Sequence, residues 1–195
     1  MPLSNAINMG ASLEEIAALL DNCSVEERLQ AIRSVGKKAQ RTLFNLCAET
    51  PKLDLSYFAT SEVGIEVIHE GKNSLPAFTL FQKRFIRLDE NTVVGYNHGS
   101  TMHLIGPGYF ILKETADQPE WSQYGSVVVD YYEVPSNTMT LPPHWPKVKH
   151  NHQGLQIVVY NKMHDFMRRV STHVSIGSAF KKGKSIDSYF LLCRQ

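Results

Sequence analysis

Histidine residues that could bind a metal ion are concentrated in one part of the chain. Four of the eight histidines lie between residues 144 and 164: His144, His150, His152 and His164. On an extended segment, His150 and His152 would project both imidazole rings to one side, as metal ligands require. His144, His103 or Asp130 could supply a third ligand. One hypothesis is therefore an enzyme that uses zinc or iron to activate water or oxygen. The alternative is that these histidines are exposed loop residues.

The His150-x-His152 spacing resembles the first half of the cupin metal motif, in which a glutamate follows a few residues later. Gln156 stands at that place in this chain, so the carboxylate ligand of the motif is missing. The resemblance covers only these residues and does not assign the chain to that family.

A second candidate site is a polar segment between glycines. Gly95 and Gly99 flank Tyr96-Asn97-His98, and Gly106-Pro107-Gly108 follows closely. Such a loop can bring backbone N–H groups and a histidine to a ligand, although it equally fits an ordinary turn. Nearby aromatic residues would suit either a small-molecule pocket or a β core. We predict a pocket with its mouth at 96–108 and 135–154, lined by Tyr96, Asn97, His98, Tyr109, Asp130, Tyr131, Trp145 and Arg168.

Asp130 is unusual because it lies in an apolar strand, between Val129 and Tyr131. If its side chain points inward, the carboxylate needs a partner such as Arg168, Arg84 or a histidine. Such a pair can be structural or catalytic. We interpret Asp130 as an exposed or structural residue, and keep it among the candidate ligand-binding residues.

The segment Gly177–Ser185, GSAFKKGKS, resembles a phosphate-binding loop. Five residues separate its two glycines, one more than that motif has, and the ten residues after Ser185 read as a strand. A P-loop must lead into a helix whose N-terminus faces the phosphates. We therefore do not predict nucleotide binding here, and expect a hairpin turn instead.

Composition excludes several classes of protein. Lys and Arg number 20 against 19 Asp and Glu, so the basic excess of a nucleic-acid-binding domain is missing. No stretch of 18 apolar residues predicts a membrane span, and the N-terminus does not read as a secretory signal. Three widely spaced cysteines without a CxxC motif fit reduced thiols. We expect a cytoplasmic protein without nucleic-acid or membrane partners.

Two capping boxes predict an N-terminal helical segment over residues 1–50. Ser12-Leu13-Glu14-Glu15 and Ser24-Val25-Glu26-Glu27 each place a glutamate three residues after a serine. Pro51 ends this segment, and Gly36 weakens the middle of its second helix, where we expect it to divide.

From residue 51 onward the sequence predicts a β-rich body. Strands are predicted at 63–69, 85–88, 92–96, 109–113, 126–134, 155–160, 174–180 and 188–194. Apolar spacings of three and four residues predict short helices at 75–84 and 162–170. Because short links favour antiparallel pairing, we predict a single α+β domain over 1–195. Its N-terminal helices would pack on a strongly curved, mostly antiparallel sheet or barrel of about seven or eight strands.

Three functional hypotheses remain open, and the sequence does not decide whether the protein is an enzyme. The first is a domain that binds a small molecule or cofactor in an aromatic-lined cavity. The second is the metal-dependent enzyme with the histidine-rich loop. The third is an interaction or regulatory module that uses the N-terminal helices, whose amphipathic form is compatible with a homodimer.

Overall fold

The computed structural model describes residues 2–195 and shows a helical segment followed by a closed antiparallel barrel. The helices in this range are α1 (Leu3–Asn8), α2 (Leu13–Asp21), α3 (Val25–Arg33), α4 (Lys37–Leu46), α5 (Leu55–Phe58), α6 (Met102–Ile105), α7 (Pro119–Ser122) and α8 (Gln156–Val159), with a 3-10 turn at Cys47–Glu49. The strands are β1 (Glu66–Asn73), β2 (Leu80–Arg87), β3 (Val93–His98), β4 (Phe110–Glu114), β5 (Val127–Asp130), β6 (Met163–Arg169), β7 (Val174–Lys181) and β8 (Lys184–Arg194).

The eight strands follow one another around the barrel in chain order, and each is antiparallel to its neighbours. Pairing of β1 with β8 closes the sheet, with His69 opposite Arg194 and Asn73 opposite Phe190. Closure leaves no unpaired sheet edge. The predicted α+β class and antiparallel barrel are therefore confirmed, and the GSAFKKGKS segment is part of the β7–β8 hairpin.

The N-terminal helices begin where their capping residues predict. Ser12 and Ser24 each accept a hydrogen bond from the third residue of the following helix, and Glu15 and Glu27 bond back to the serine N–H groups. Gly36 separates α3 from α4, as expected. Within residues 2–195, the longest helix, α4, has ten residues, and no helix has the length and apolar character needed to cross a membrane.

The apolar faces of these helices pack on the outer side of β7 and β8. Ile16, Leu20 and Leu43 form one buried cluster with Ile176 and Leu191. The amphipathic faces that suggested an interaction module are thus covered by the barrel of the same chain. A homodimer built through these helices stays a prediction.

Two segments predicted as helices are strands. Residues 75–84 overlap β2, and residues 162–170 overlap β6. The predictions were wrong because residues four apart share a face in both a helix and a strand. Phe81 and Phe85 are such a pair, and so are Met163 and Met167; all four belong to the cluster inside the barrel.

The predicted strand at 155–160 is also wrong, because this apolar stretch forms the helical turn α8. Gln156 anchors the turn: its Oε1 accepts a hydrogen bond from Gly108 N at 2.8 Å, and its Nε2 donates to His150 O at 3.2 Å. Ile157 and Val158 are left exposed to solvent rather than paired in the sheet.

One end of the barrel is closed by aromatic residues around a buried histidine. Tyr57 and Phe58 of α5 join the interior cluster there. The His69 ring stacks on Phe58 at 5.7 Å and meets Phe85 edge-on at 4.8 Å. Neither ring nitrogen has a hydrogen-bond partner of normal geometry within residues 2–195. The pKa of His69 is lowered to about 3, mainly by burial and also by the nearby Arg194 charge. A weak contribution from the Phe58 backbone acts in the opposite direction.

This pKa predicts that His69 makes folding sensitive to acid. Below the ordinary histidine pKa of about 6.5, the unfolded chain takes up a proton that the folded chain rejects, so stability falls as the pH decreases. We expect His69→Phe to remove a loss of about 2 kcal/mol between about pH 7.5 and about pH 5. Urea unfolding at both pH values measures it, with the exposed His103→Phe as control. If the free energy of unfolding depended on pH equally in the wild-type protein and in His69→Phe, the assignment would be contradicted.

Candidate ligand-binding cavity

The other end of the barrel opens into a cavity of about 500 Å³. That volume lies in the range of small-molecule sites. The walls are mostly apolar and include Phe81, Tyr160, Met163 and Phe190. A second depression of about 540 Å³ is lined by residues 59–60, 65–68 and 194–195. Its lining contains no aromatic residue, so the barrel cavity is the stronger candidate for a ligand site.

Two glycines make room for the aromatic walls. A Cβ at Gly71 would lie 2.6 Å from the Phe81 ring, and a Cβ at Gly177 would lie 2.2 Å from the Phe190 ring. Real side chains do not approach that closely, so both positions need glycine for the two rings to point into the barrel. The first glycine of the P-loop-like segment therefore shapes the cavity wall.

Four polar side chains meet at the floor of the cavity: Lys83 from β2, Asn97 from β3, Tyr131 just after β5 and Asp165 from β6. Lys83 Nζ donates hydrogen bonds to Asn97 Oδ1 at 2.9 Å, to the Tyr131 hydroxyl at 2.5 Å and to Asp165 Oδ2 at 3.2 Å. These three acceptors match the three N–H bonds of an ammonium group. We call these four residues the floor cluster.

Asn97 and Tyr131 are themselves held in place. Asn97 Nδ2 donates to the Gly108 carbonyl at 2.9 Å, which directs Oδ1 towards Lys83. The Tyr131 ring stacks on Tyr160 with 5.4 Å between centroids and 16° between planes. Burial, with the Asp165 charge adding to it, raises the pKa of Tyr131 well above its usual value, so its hydroxyl keeps its proton.

The floor cluster lies in a medium of low polarity. Lys83 is 1% exposed and Asp165 is 5% exposed. Phe110 and Phe190 place their rings 5.0 and 4.9 Å from Lys83 Nζ. Burial lowers the pKa of Lys83 and raises that of Asp165, while each partner opposes the shift of the other. The pair has zero net charge in either protonation state, with Lys83 as ammonium beside an Asp165 carboxylate or with Lys83 as amine beside an Asp165 carboxylic acid. The floor cluster is therefore neutral overall.

The structure brings together some of the predicted ligand-binding residues. Asn97, His98 and Tyr131 line the cavity. Tyr96, Tyr109 and Trp145 do not, because they pack together on the outer wall of the barrel with apolar residues of the 134–148 segment. Of the two segments predicted to form the mouth, 96–108 contributes residues 97–102, 104 and 105 to the cavity lining, and 135–154 contributes none.

Asp130 and Arg168 make structural contacts outside the cavity. Asp130 lies 2.7 Å from Lys113 Nζ and 3.2 Å from His164 Nε2. Burial alone would raise the pKa of Asp130, but hydrogen bonds from His164 and Lys113 hold it below its ordinary value. The Arg168 guanidinium donates to the carbonyls of Phe44, Gln123 and Tyr124 and so ties α4 to the barrel. The structural interpretation of Asp130 agrees with these contacts.

The candidate metal ligands are not gathered into a site. The His150 and His152 rings stack with their centroids 5.1 Å apart, while His144 Nε2 lies 3.6 Å from Glu66 Oε2. Within residues 2–195, no group of three or more His, Cys, Asp or Glu side chains is placed to hold a metal ion. Zinc or iron binding by these histidines stays a prediction. Among residues 2–195, no third His, Cys, Asp or Glu ligand is placed beside two of them.

Lys83 and Asp165, the two charged members of the floor cluster, are not among the residues predicted from the sequence. Both lie in strands that were predicted as helices, where they would have fallen on a different face from their apolar neighbours. The alternation Phe81, Lys83, Phe85 and the alternation Met163, Asp165, Met167 were the available signals. Read with a period of two, they place each charge inside the barrel.

The buried pair predicts an asymmetric response to mutation. Lys83→Met leaves the Asp165 carboxylate buried without its main partner and should destabilise the protein by about 3–5 kcal/mol. The double variant Lys83→Met, Asp165→Leu should recover most of that loss, because no uncompensated charge remains. Urea unfolding measures both. Lys113→Met is the control, since that amine is more exposed and Asp130 keeps His164. Equal stabilities of the single and double variants would contradict the pairing.

Comparisons with protein-family models, with curated proteins and with solved structures found no match to this chain. No relative therefore supplies a ligand, a reaction or a catalytic residue. Function is therefore inferred from the cavity and from the charges and contacts of the residues that line it.

Proposed function

We propose that this protein binds an uncharged, mainly apolar small molecule inside the barrel. The observation that carries the proposal is a cavity of about 500 Å³ with apolar walls that ends on the buried Lys83 and its partners. A closed apolar core would need no such space, and a core filled to ordinary density leaves few voids larger than water. In this proposal the aromatic walls contact the body of the ligand.

The charge of the floor cluster supports a neutral ligand. The Asp165 carboxylate already balances the Lys83 ammonium, so a ligand carboxylate would bring one uncompensated negative charge into a buried site. Burying such a charge is costly. A carbonyl or hydroxyl oxygen needs no counter-charge, and it can accept a hydrogen bond from Lys83 or Tyr131 in exchange for a bond that these residues now make to each other.

A matched pair of ligands tests this proposal. The methyl ketone of methoxynaphthalene and the corresponding methoxynaphthoate have nearly the same shape, but only the second is charged. Isothermal titration calorimetry should show the ketone binding about tenfold or more tightly than the carboxylate, a difference of about 1.4 kcal/mol or more. Preference for the carboxylate would contradict a neutral ligand.

A cavity-filling variant shows where the ketone binds. Ala179 lines the cavity on β7, so Ala179→Phe should weaken ketone binding about tenfold or more by occupying the space. Ala48→Phe adds the same side chain at an exposed position and should leave binding unchanged. Equal affinity in the two variants would place the ketone outside the barrel and remove the central support for the proposal.

A second candidate function is covalent chemistry at Lys83, favoured by the burial that lowers the pKa of its amine. A neutral amine adds to the carbonyl carbon of an aldehyde, and the adduct loses water to leave a carbon–nitrogen double bond. Tyr131 and Asp165 are within hydrogen-bonding distance of Nζ and could carry the protons that this step moves.

Reductive trapping tests this second candidate. With cinnamaldehyde and borohydride, peptide mass spectrometry should find one stable adduct on Lys83, and the methyl ketone should compete with it. Adducts spread over the exposed lysines, with Lys83 unmodified, would exclude this chemistry. That result would leave non-covalent binding untouched, because the calorimetric test does not depend on a covalent bond.

A further inference from the structure

Apolar side chains that are exposed to solvent surround the mouth of the cavity. They come from the β1–β2 loop, from the start of β2, from α6 and α8 and from β8, and each also lines the cavity: Leu75, Phe78, Leu80, Leu104, Val159 and Ile186. Two of them are extreme, since Phe78 is 71% exposed and Leu104 is 67% exposed. A contiguous exposed apolar surface usually marks an interaction site. We call these six residues the apolar rim.

Phe78 has an unusual backbone conformation in the β1–β2 turn, where its carbonyl accepts a hydrogen bond from Asn73 Nδ2 at 3.2 Å. Its φ angle is 52°, in the left-handed region that a bulky residue rarely adopts. Its ring points to solvent instead of joining the core, so no burial offsets the backbone strain. Strain of this kind persists mainly at functional sites. The β1–β2 turn therefore presents an aromatic ring outward beside the entrance to the cavity.

Lysines lie next to the apolar rim. Lys181, Lys182 and Lys184 belong to the β7–β8 hairpin, and Lys162 meets it through its carbonyl, which accepts a hydrogen bond from Lys182 N at 2.9 Å. Lys181 Nζ donates to the Val158 carbonyl of α8 at 2.6 Å. No residue within 2–195 forms a salt bridge with any of these four lysines.

The nearest acidic residue on this hairpin does not neutralise them. Asp187 follows Ile186 of the rim, but its carboxylate pairs with Arg41 and, at 3.0 Å, with Lys37, both on α4. The mouth thus combines apolar side chains with unpaired positive charge, although the whole chain has a net charge of only +1.

We propose that the apolar rim and the adjacent lysines dock the mouth of the barrel onto the surface of an anionic lipid bilayer. Side chains such as Phe78, Leu104 and Val159 would enter the interface, while the lysines contact lipid phosphates, the pattern of proteins that lie on membranes. Sequence analysis predicted no membrane partner because no long apolar segment exists. Peripheral docking of this kind needs none, since it uses residues from five separate parts of the fold.

A bilayer fits this surface better than a protein partner because of where the surface lies. It encircles the entrance of an apolar cavity, and an apolar ligand is more soluble in a bilayer than in water. This part of the argument rests on the proposed function. Docking at the mouth would let such a ligand pass between bilayer and barrel without crossing water.

Vesicle co-sedimentation tests the proposal with the full chain. Vesicles of phosphatidylcholine alone are compared with an equal mixture of phosphatidylcholine and phosphatidylglycerol. We expect binding to the mixed vesicles, weakened by high salt, and little binding to phosphatidylcholine. Phe78→Ser with Leu104→Ser should weaken binding about tenfold or more, and Lys182→Gln with Lys184→Gln should do so to a similar extent.

Two matched controls carry the same changes elsewhere. Met9 and Val63 are 79% and 59% exposed and do not line the cavity, so Met9→Ser with Val63→Ser should bind vesicles normally. Lys147→Gln with Lys149→Gln removes two exposed charges from the loop between β5 and α8 and should also have no effect. Equal losses in rim and control variants, or no preference for anionic vesicles, would overturn the proposal.

The remaining outcomes separate docking from ligand binding. Calorimetry with the methyl ketone is run in the absence of vesicles on the wild-type protein and on the Lys182→Gln, Lys184→Gln variant, whose ketone binding should be unchanged because neither lysine lines the cavity. Vesicle binding without ketone binding would support docking and count against the proposed ligand site. Ketone binding without vesicle binding would overturn docking alone. Self-association that is abolished by the Phe78 and Leu104 changes, without vesicle binding, would assign the rim to a second copy of the chain and overturn the proposal.

Discussion

The interior of the barrel depends on the ion pair between Lys83 and Asp165. Removing two charges from water costs several kcal/mol for each ion unless close partners replace the lost hydration. Asn97 and Tyr131 complete that replacement, and they come from parts of the sheet that only the barrel register brings together. The cluster holds polar groups where a further layer of apolar side chains would otherwise fill the barrel. It thereby fixes the depth, the polarity and the zero net charge of the cavity.

The rest of the molecule supports this arrangement. Aromatic residues of α5 fill the opposite end of the barrel, and the N-terminal helices cover the outer faces of β7 and β8. Gly71 and Gly177 admit the Phe81 and Phe190 rings above the floor cluster. At the mouth of the cavity, large apolar side chains are exposed instead of buried, and this exposure is the basis for the proposed docking to a bilayer.

Much of the fold could be predicted because its signals are local. Serine N-caps with glutamates three residues later fixed the starts of α2 and α3, and alternation in 126–134 identified β5. The errors arose where local signals are ambiguous. In β2 and β6, apolar residues four apart suit both periods, and only the pairing of β2 with β1 and β3 decides between them. At α8, the buried Gln156 side chain decided the structure through contacts distant in sequence.

Less of the candidate site could be predicted. The polar segment at 96–98 identified Asn97 and His98, and the aromatic pattern identified Tyr131. Tyr109 and Trp145 look equally suitable in the sequence, yet they pack on the outer wall. Which face of a strand points inward is fixed by the register of the whole barrel, since a shift of one residue exchanges the two faces. Lys83 and Asp165 become partners only once that register is known.

The most direct measurement is a crystal structure with a bromine-labelled apolar ketone, whose anomalous signal locates the ligand. The account predicts bromine density inside the cavity, against the Phe81 and Phe190 rings, with the ketone oxygen within hydrogen-bonding distance of Lys83 Nζ or the Tyr131 hydroxyl. A cavity that stays empty while the ketone binds elsewhere on the surface would contradict it.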